Sequence, residues 1–158
     1  MAFVWQRLHY LRYDRAVQEV AYLMVHNKLP VQERLFRIRL SRDPYCLACA
    51  TASIQDINHY FIGCERTLYY WNWTKNICNS IMGHGNTDEV SFLMFNWPKC
   101  KKDREISWII GHYVYIVWDL LYRRKSASVS NLEFFGFLKF KYKEALAIGA
   151  VRGIPNLL

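Results

Sequence analysis

Apolar residues recur at three- and four-residue steps through most of the 158-residue chain, and no sustained two-residue alternation interrupts them. That period predicts helices and no sheet. Between Asp14 and Asn27, Val17, Val20, Ala21, Met24 and Val25 share a face behind Asp14 as N-cap, and Leu29-Pro30 ends the helix. Pro30 fits the first turn of a short basic helix, Val31 to Leu40, with Leu35 and Ile38 inward and Arg34, Arg37 and Arg39 outward. Asp43-Pro44 breaks the pattern, and Ser53 with Asp56 reads as the cap of a short helix carrying His59. Glu65 to Met82 predicts a further helix, and Gly83 to Thr87 a loop. Asn86 with Glu89 reads as the cap of a short helix through Phe95, and a basic loop runs from Asn96 to Asp103.

The most apolar stretch follows. Arg104 to Arg124 places Ile106, Ile110, Tyr113, Val117 and Leu120 or Leu121 at helical steps and ends in Arg123, Arg124 and Lys125, which suit a helix C-terminus. Ile106 to Tyr122 is too short to span a bilayer comfortably and would put His112 and Asp119 in lipid, so it predicts a central core helix and no membrane association. Ser130 with Glu133 opens a last helix to about Ile148, and Gly149 onward reads as a frayed tail. The prediction is an all-α domain of five to six helices over residues 1–158, with its core at about 14–148.

Composition adds a large core and a polarity. Hydrophobic residues make up 53% of the chain, enough to exclude a disordered polypeptide. The 16% of aromatic residues serve core packing or, where exposed, base stacking and interfaces. Twenty-one Lys and Arg against thirteen acids give a formal charge of +8, which favours polyanionic partners, RNA or DNA first.

One spacing carries chemistry. Cys46-x2-Cys49-x9-His59-x4-Cys64 offers three thiolates and an imidazole, the donor set of a closed tetrahedral Zn2+ site. A closed site leaves no position for a water nucleophile, so such a metal organises a fold. The alternative is four residues near one another by chance, the thiols buried as small apolar groups. Of five cysteines, Cys78 and Cys100 stand outside the pattern and read as inert thiols. Their number and the absence of a secretory signal at the start fit a reducing intracellular compartment.

Around this motif Arg34, Arg37, Arg39, Arg42, Arg66 and Lys75, with Lys101 and Lys102 further on, alternate with Tyr45, Tyr70 and Trp73. These are candidate contacts to phosphates and bases; a solvated basic face is the other reading of the same residues. His9, His26, His84 and His112 pair with no nucleophile or carboxylate in the sequence pattern. No Gly-rich phosphate loop, G-x-S-x-G or H-E-x-x-H occurs, so a non-enzyme without a small-molecule substrate is expected.

The order Leu29-Pro30-Val31-Gln32-Glu33-Arg34-Leu35, Asp43-Pro44-Tyr45-Cys46-Leu47-Ala48-Cys49 and Asn58-His59-Tyr60-Phe61-Ile62-Gly63-Cys64 resembles a known segment. It is the CCHC zinc-binding region that follows the polymerase in reverse transcriptases of non-LTR (LINE-type) retrotransposons, where a Trp in the next helix would correspond to Trp71 or Trp73. The likeness is specific over residues 29 to 73 and looser through Trp118 and Arg123-Arg124. It implies zinc ligation by Cys46, Cys49, His59 and Cys64 and a grip on element RNA or target DNA, in the nucleus rather than the cytoplasm. The chain departs from the family in having no polymerase and no endonuclease. It is therefore expected to be a piece of a longer protein or a stand-alone derivative, the latter open to a role as a protein–protein module or self-associating adaptor.

Overall fold

The computed structural model describes residues 2–83, 87–154 and 157. Among these residues the chain is all-α, with seven α-helices, two π-helical turns and no strand. The helices are α1 (Ala2–His9), α2 (Arg15–Val25), α3 (Gln32–Arg37), α4 (Leu68–Met82), α5 (Glu89–Leu93), α6 (Asp103–Trp118) and α7 (Asn131–Ala147). π-Helical turns occupy His59–Gly63 and Asp119–Arg123. The count exceeds the expected five to six because α1 was not anticipated.

The apolar stretch forms the hub. Helices α1, α2, α4 and α7 all pack on α6, which buries fourteen of its sixteen residues. Gly111 makes room for Leu11, in the turn between α1 and α2, since a Cβ there would lie 2.6 Å from Leu11 Cδ1. No helix is long and apolar enough to cross a membrane among the described residues.

Local signals fixed several ends. Asp14 caps α2 by accepting from the Val17 amide, and Ser130 caps α7 by accepting from that of Glu133. Gly83 takes the left-handed conformation that closes α4, at φ 79°. Three expectations are corrected. Asp88, not Asn86, caps α5, by accepting from Ser91 N at 2.9 Å; Asn86 and His84 lie outside the described residues. Helix α3 is shorter than predicted and buries nothing: Leu35 is half-buried, Ile38 exposed, and Pro30 precedes the Val31 N-cap. The C-terminal segment is not frayed, because Val151, Ile154 and Leu157 are buried and Ile154 N donates to the Tyr142 hydroxyl at 2.7 Å.

His112 is wholly enclosed on α6. Its Nδ1 lies 2.9 Å from the Trp108 carbonyl, which can only accept, so Nδ1 carries the proton. Nε2 is then an acceptor 3.5 Å from the Tyr13 hydroxyl, which itself accepts from Trp108 Nε1, and Asp14 paired with Lys141 stands nearby. Burial pushes the His112 pKa down to about 4. Protons therefore favour the unfolded chain below its ordinary pKa near 6.5. The neutral imidazole costs nothing above that pH, and stability falls between there and pH 4 by about 1.4 kcal/mol per unit, roughly 3 kcal/mol in all. Urea unfolding across this range should show a slope that flattens by that amount in His112→Gln; parallel curves would refute the assignment.

Candidate metal centre

The cysteine pair sits on a hairpin-like turn. Tyr45 and Ile54 form an isolated antiparallel bridge, Cys46 N donates to Ser53 O at 2.8 Å, and Gln55 N donates to Pro44 O at 2.9 Å. Ser53 therefore belongs to this turn. The expected Ser53 cap is corrected to Asp56, whose Oδ1 accepts from His59 N at 2.7 Å.

His59 and Cys64 are five residues apart, which in an α-helix would point them about 140° away from each other. Cys64 N instead donates to His59 O at 2.7 Å, the i→i+5 bond of a π turn. Widening the turn by one residue brings both side chains to one side. The turn itself is anchored in the core through Tyr60, Phe61 and Ile62, with the Phe61 carbonyl accepting from the Tyr113 hydroxyl.

The four ligand atoms lie within 4.8 Å of one another. Cys46 Sγ and Cys64 Sγ are 4.0 Å apart, Cys49 Sγ and Cys64 Sγ 3.7 Å, and Cys49 Sγ and His59 Nε2 3.5 Å. A tetrahedron with Zn–S of about 2.3 Å and Zn–N of about 2.0 Å has S···S edges near 3.8 Å and S···N edges near 3.5 Å. The donor set and spacing fit a structural zinc ion.

Outer contacts suit the same ion. Gln55 Nε2 approaches Cys46 Sγ at 3.6 Å, and Arg66 Nε donates to Cys64 Sγ at 3.3 Å. Burial works against the Arg66 charge, but the Cys64 contact more than offsets it and raises the pKa. Burial likewise opposes the Cys46 thiolate, yet the amides of Ala48 and Cys49 and the His59 side chain hold its pKa down to about 6. Cys49 is pushed up to about 11, by burial first and then by the neighbouring Cys64 and Cys46 sulfurs. Three thiolates and a neutral imidazole around a dication carry one net negative charge, which the Arg66 guanidinium balances.

The other candidate residues separate into groups. Arg39 and Arg42 are exposed and Arg34 half-exposed, while Arg37 is exposed but pairs with Glu33 at 3.2 Å. Tyr45 is exposed, and Lys101 and Lys102 stand exposed far along the chain at the start of α6. Arg66 is committed to Cys64, and Lys75 to Glu89 at 2.8 Å. Tyr70 is corrected to a core residue: 5% exposed, it spends its hydroxyl on Val129 O and Asn131 Oδ1, leaving no free face for a base. Trp73 packs edge-on against Phe134 and Phe135. The thiols outside the cluster are quiet, with Cys78 enclosed in apolar surroundings that raise its pKa and Cys100 donating to Asp103.

Sequence reasoning missed Gln55. Its Oε1 accepts from Gln32 N at 3.0 Å, its carbonyl accepts from Glu33 N at 3.0 Å, and its amide nitrogen reaches Cys46. One side chain thus ties the N-terminus of α3 to the cysteine turn. Nothing in its residue type signals this.

No curated protein and no solved structure matches this chain. The segment that supplies all four ligand atoms lies within residues 2–71, which match the family described as zinc-binding in reverse transcriptase.

Proposed function

We propose that the chain is a non-enzymatic, zinc-stabilised helical domain that binds RNA or DNA, derived from or part of a non-LTR (LINE-type) retrotransposon reverse transcriptase and acting in the nucleus. Residues 1–158 work as one domain in this reading, with Cys46, Cys49, His59 and Cys64 as the metal ligands. Zinc supplies a fixed clamp between the 44–56 turn and the π turn; with four protein ligands it offers no place for substrate.

The observation that carries the reading is the Gln55 tie. Helix α3 buries none of its own residues, so beyond its buried N-cap Val31 it is held by the bonds from Gln32 and Glu33 to Gln55, and Gln55 in turn abuts Cys46. The metal turn therefore sets where Arg34, Arg39 and Arg42 are held, beside the exposed ring of Tyr45. Side chains that neutralise phosphates from a rigid frame lose less entropy on binding than the same side chains on a loose loop.

Fluorescence anisotropy with a labelled single-stranded oligonucleotide tests this. Three phosphate contacts would weaken binding about 20-fold between 50 and 200 mM salt. Absent binding, or binding indifferent to salt, would overturn it.

A second reading rests on a separate surface. Trp5 and Tyr22 are more than two-fifths exposed, and with His26 they form a solvent-facing aromatic cluster on α1 and α2, with ring centroids 4.2 to 6.0 Å apart. Such a patch suits a protein partner or self-association. Sedimentation of the wild type against Trp5→Ser/Tyr22→Ser discriminates: loss of a complex in the variant with nucleic-acid binding intact would favour that role.

A further inference from the structure

An open cleft of about 280 Å³ lies between α1, the turn before α6, the first turn of α6 and the C-terminal segment. Lys99, Lys101, Lys102, Arg104 and Arg152 all line it. None of the five takes part in an ion pair among the described residues. Two carboxylates share the lining. That of Asp103 is consumed by Arg7 and Trp97, and that of Glu105 belongs to a residue only 5% exposed. Lys99 lies 5.3 Å from the Phe3 ring centroid and Arg104 5.3 Å from that of Tyr10, which orients both cations without neutralising them.

Five cations against the single uncommitted carboxylate of Glu105 leave the concavity with a net positive charge, which a bound anion would relieve. We propose that this cleft is a phosphate-binding site for the backbone of a nucleic-acid strand. Gln6 and Tyr10 add neutral hydrogen-bonding groups of the kind that meet phosphate and sugar oxygens. The cations come from two chain segments, residues 99–104 and Arg152, and no residue between 44 and 64 lines the cleft, so the site is separate from the cysteine turn. The proposal rests on the nucleic-acid reading above and locates a second contact for the same ligand.

The test is the full chain carrying Lys101→Glu/Arg152→Glu, both exposed positions, titrated against labelled single-stranded RNA and DNA over a salt series. Affinity should fall at least tenfold, and the slope of log affinity against log salt should become shallower by roughly one to two, two contacts being lost. The charge-conserving Lys101→Arg/Arg152→Lys should bind like wild type, and thermal unfolding should be alike in all three. Wild-type affinity and slope in the Glu variant would overturn the cleft while leaving nucleic-acid binding at Arg34, Arg39 and Arg42 standing. A wild-type chain that binds no oligonucleotide would overturn both. Displacement by millimolar inorganic phosphate, or binding that needs a 5′-phosphate, would support the phosphate chemistry and assign it to a free or terminal phosphate. Competition by polyglutamate as strong as by an oligonucleotide of equal charge would overturn the assignment.

Discussion

Cys49→Ser should release the metal and unfold the 44–56 turn while leaving much of the helical core folded. Ser offers no thiolate at neutral pH, so the tetrahedron loses a ligand. Structural zinc contributes on the order of 10 kcal/mol or more to small domains that depend on it, comparable with the whole stability of a typical domain. The loss should be spatially uneven. Between residues 44 and 56 only Cys46 and Gln55 are buried, so this turn has almost no apolar packing to fall back on. The π turn has such packing, because Tyr60, Phe61 and Ile62 sit in the core against Trp118 and Tyr113. Hydrogen exchange should therefore show lost protection over 44–56 and, through Gln55, over α3, with smaller changes in α6. Metal analysis should read one zinc per wild-type chain and none per variant. Unchanged zinc content and unchanged melting would remove the metal from the account and, with it, the frame proposed for the arginines.

The metal motif was legible because it is written in residue types that rarely serve other purposes, at spacings a single turn can close. The π turn left only an indirect trace: His59 and Cys64 cannot share a side of an α-helix, so their convergence demands an extra residue in the turn. Helix α1 was unreadable for a different reason. Arg7 occupies a core position and spoils the apolar stripe, and its partner Asp103 lies ninety-six residues away, beyond any local pattern. Tyr70 was misread because burial and exposure look alike in an aromatic-rich helix; the distinction lies in α7, whose Phe134 covers it. Val151, Ile154 and Leu157 did carry a three-residue step, but neighbouring Gly and Pro suggested a tail instead.

Asp103→Asn should destabilise the fold by about 3–5 kcal/mol, the cost of leaving one member of a buried ion pair unpaired. Arg7 is fully enclosed, with Nε and Nη2 donating to Asp103 at 3.2 to 3.3 Å and Nη1 to the Phe95 carbonyl at 2.9 Å. Asp103 Oδ1 also accepts from Trp97 Nε1 at 3.0 Å and from Cys100 N at 3.2 Å. An Asn can keep one acceptor but must turn an NH2 toward either the guanidinium or these donors, so at least one buried donor loses its partner. The guanidinium itself cannot shed its proton to escape. Its stacking 4.2 Å over the Trp97 ring and its hold on Phe95, a bulky residue at φ 59°, pass the damage into the segment that joins α5 to α6. A fall of this size lowers the melting midpoint by on the order of 10 °C in a chain of this length. Removing both charges in Arg7→Met/Asp103→Asn should cost less than the sum of the single changes, because the orphaned cation is then absent. Additive costs, or an Asp103→Asn midpoint within a degree or two of wild type, would show that the pair is solvated in solution and that α1 is held by its apolar face alone.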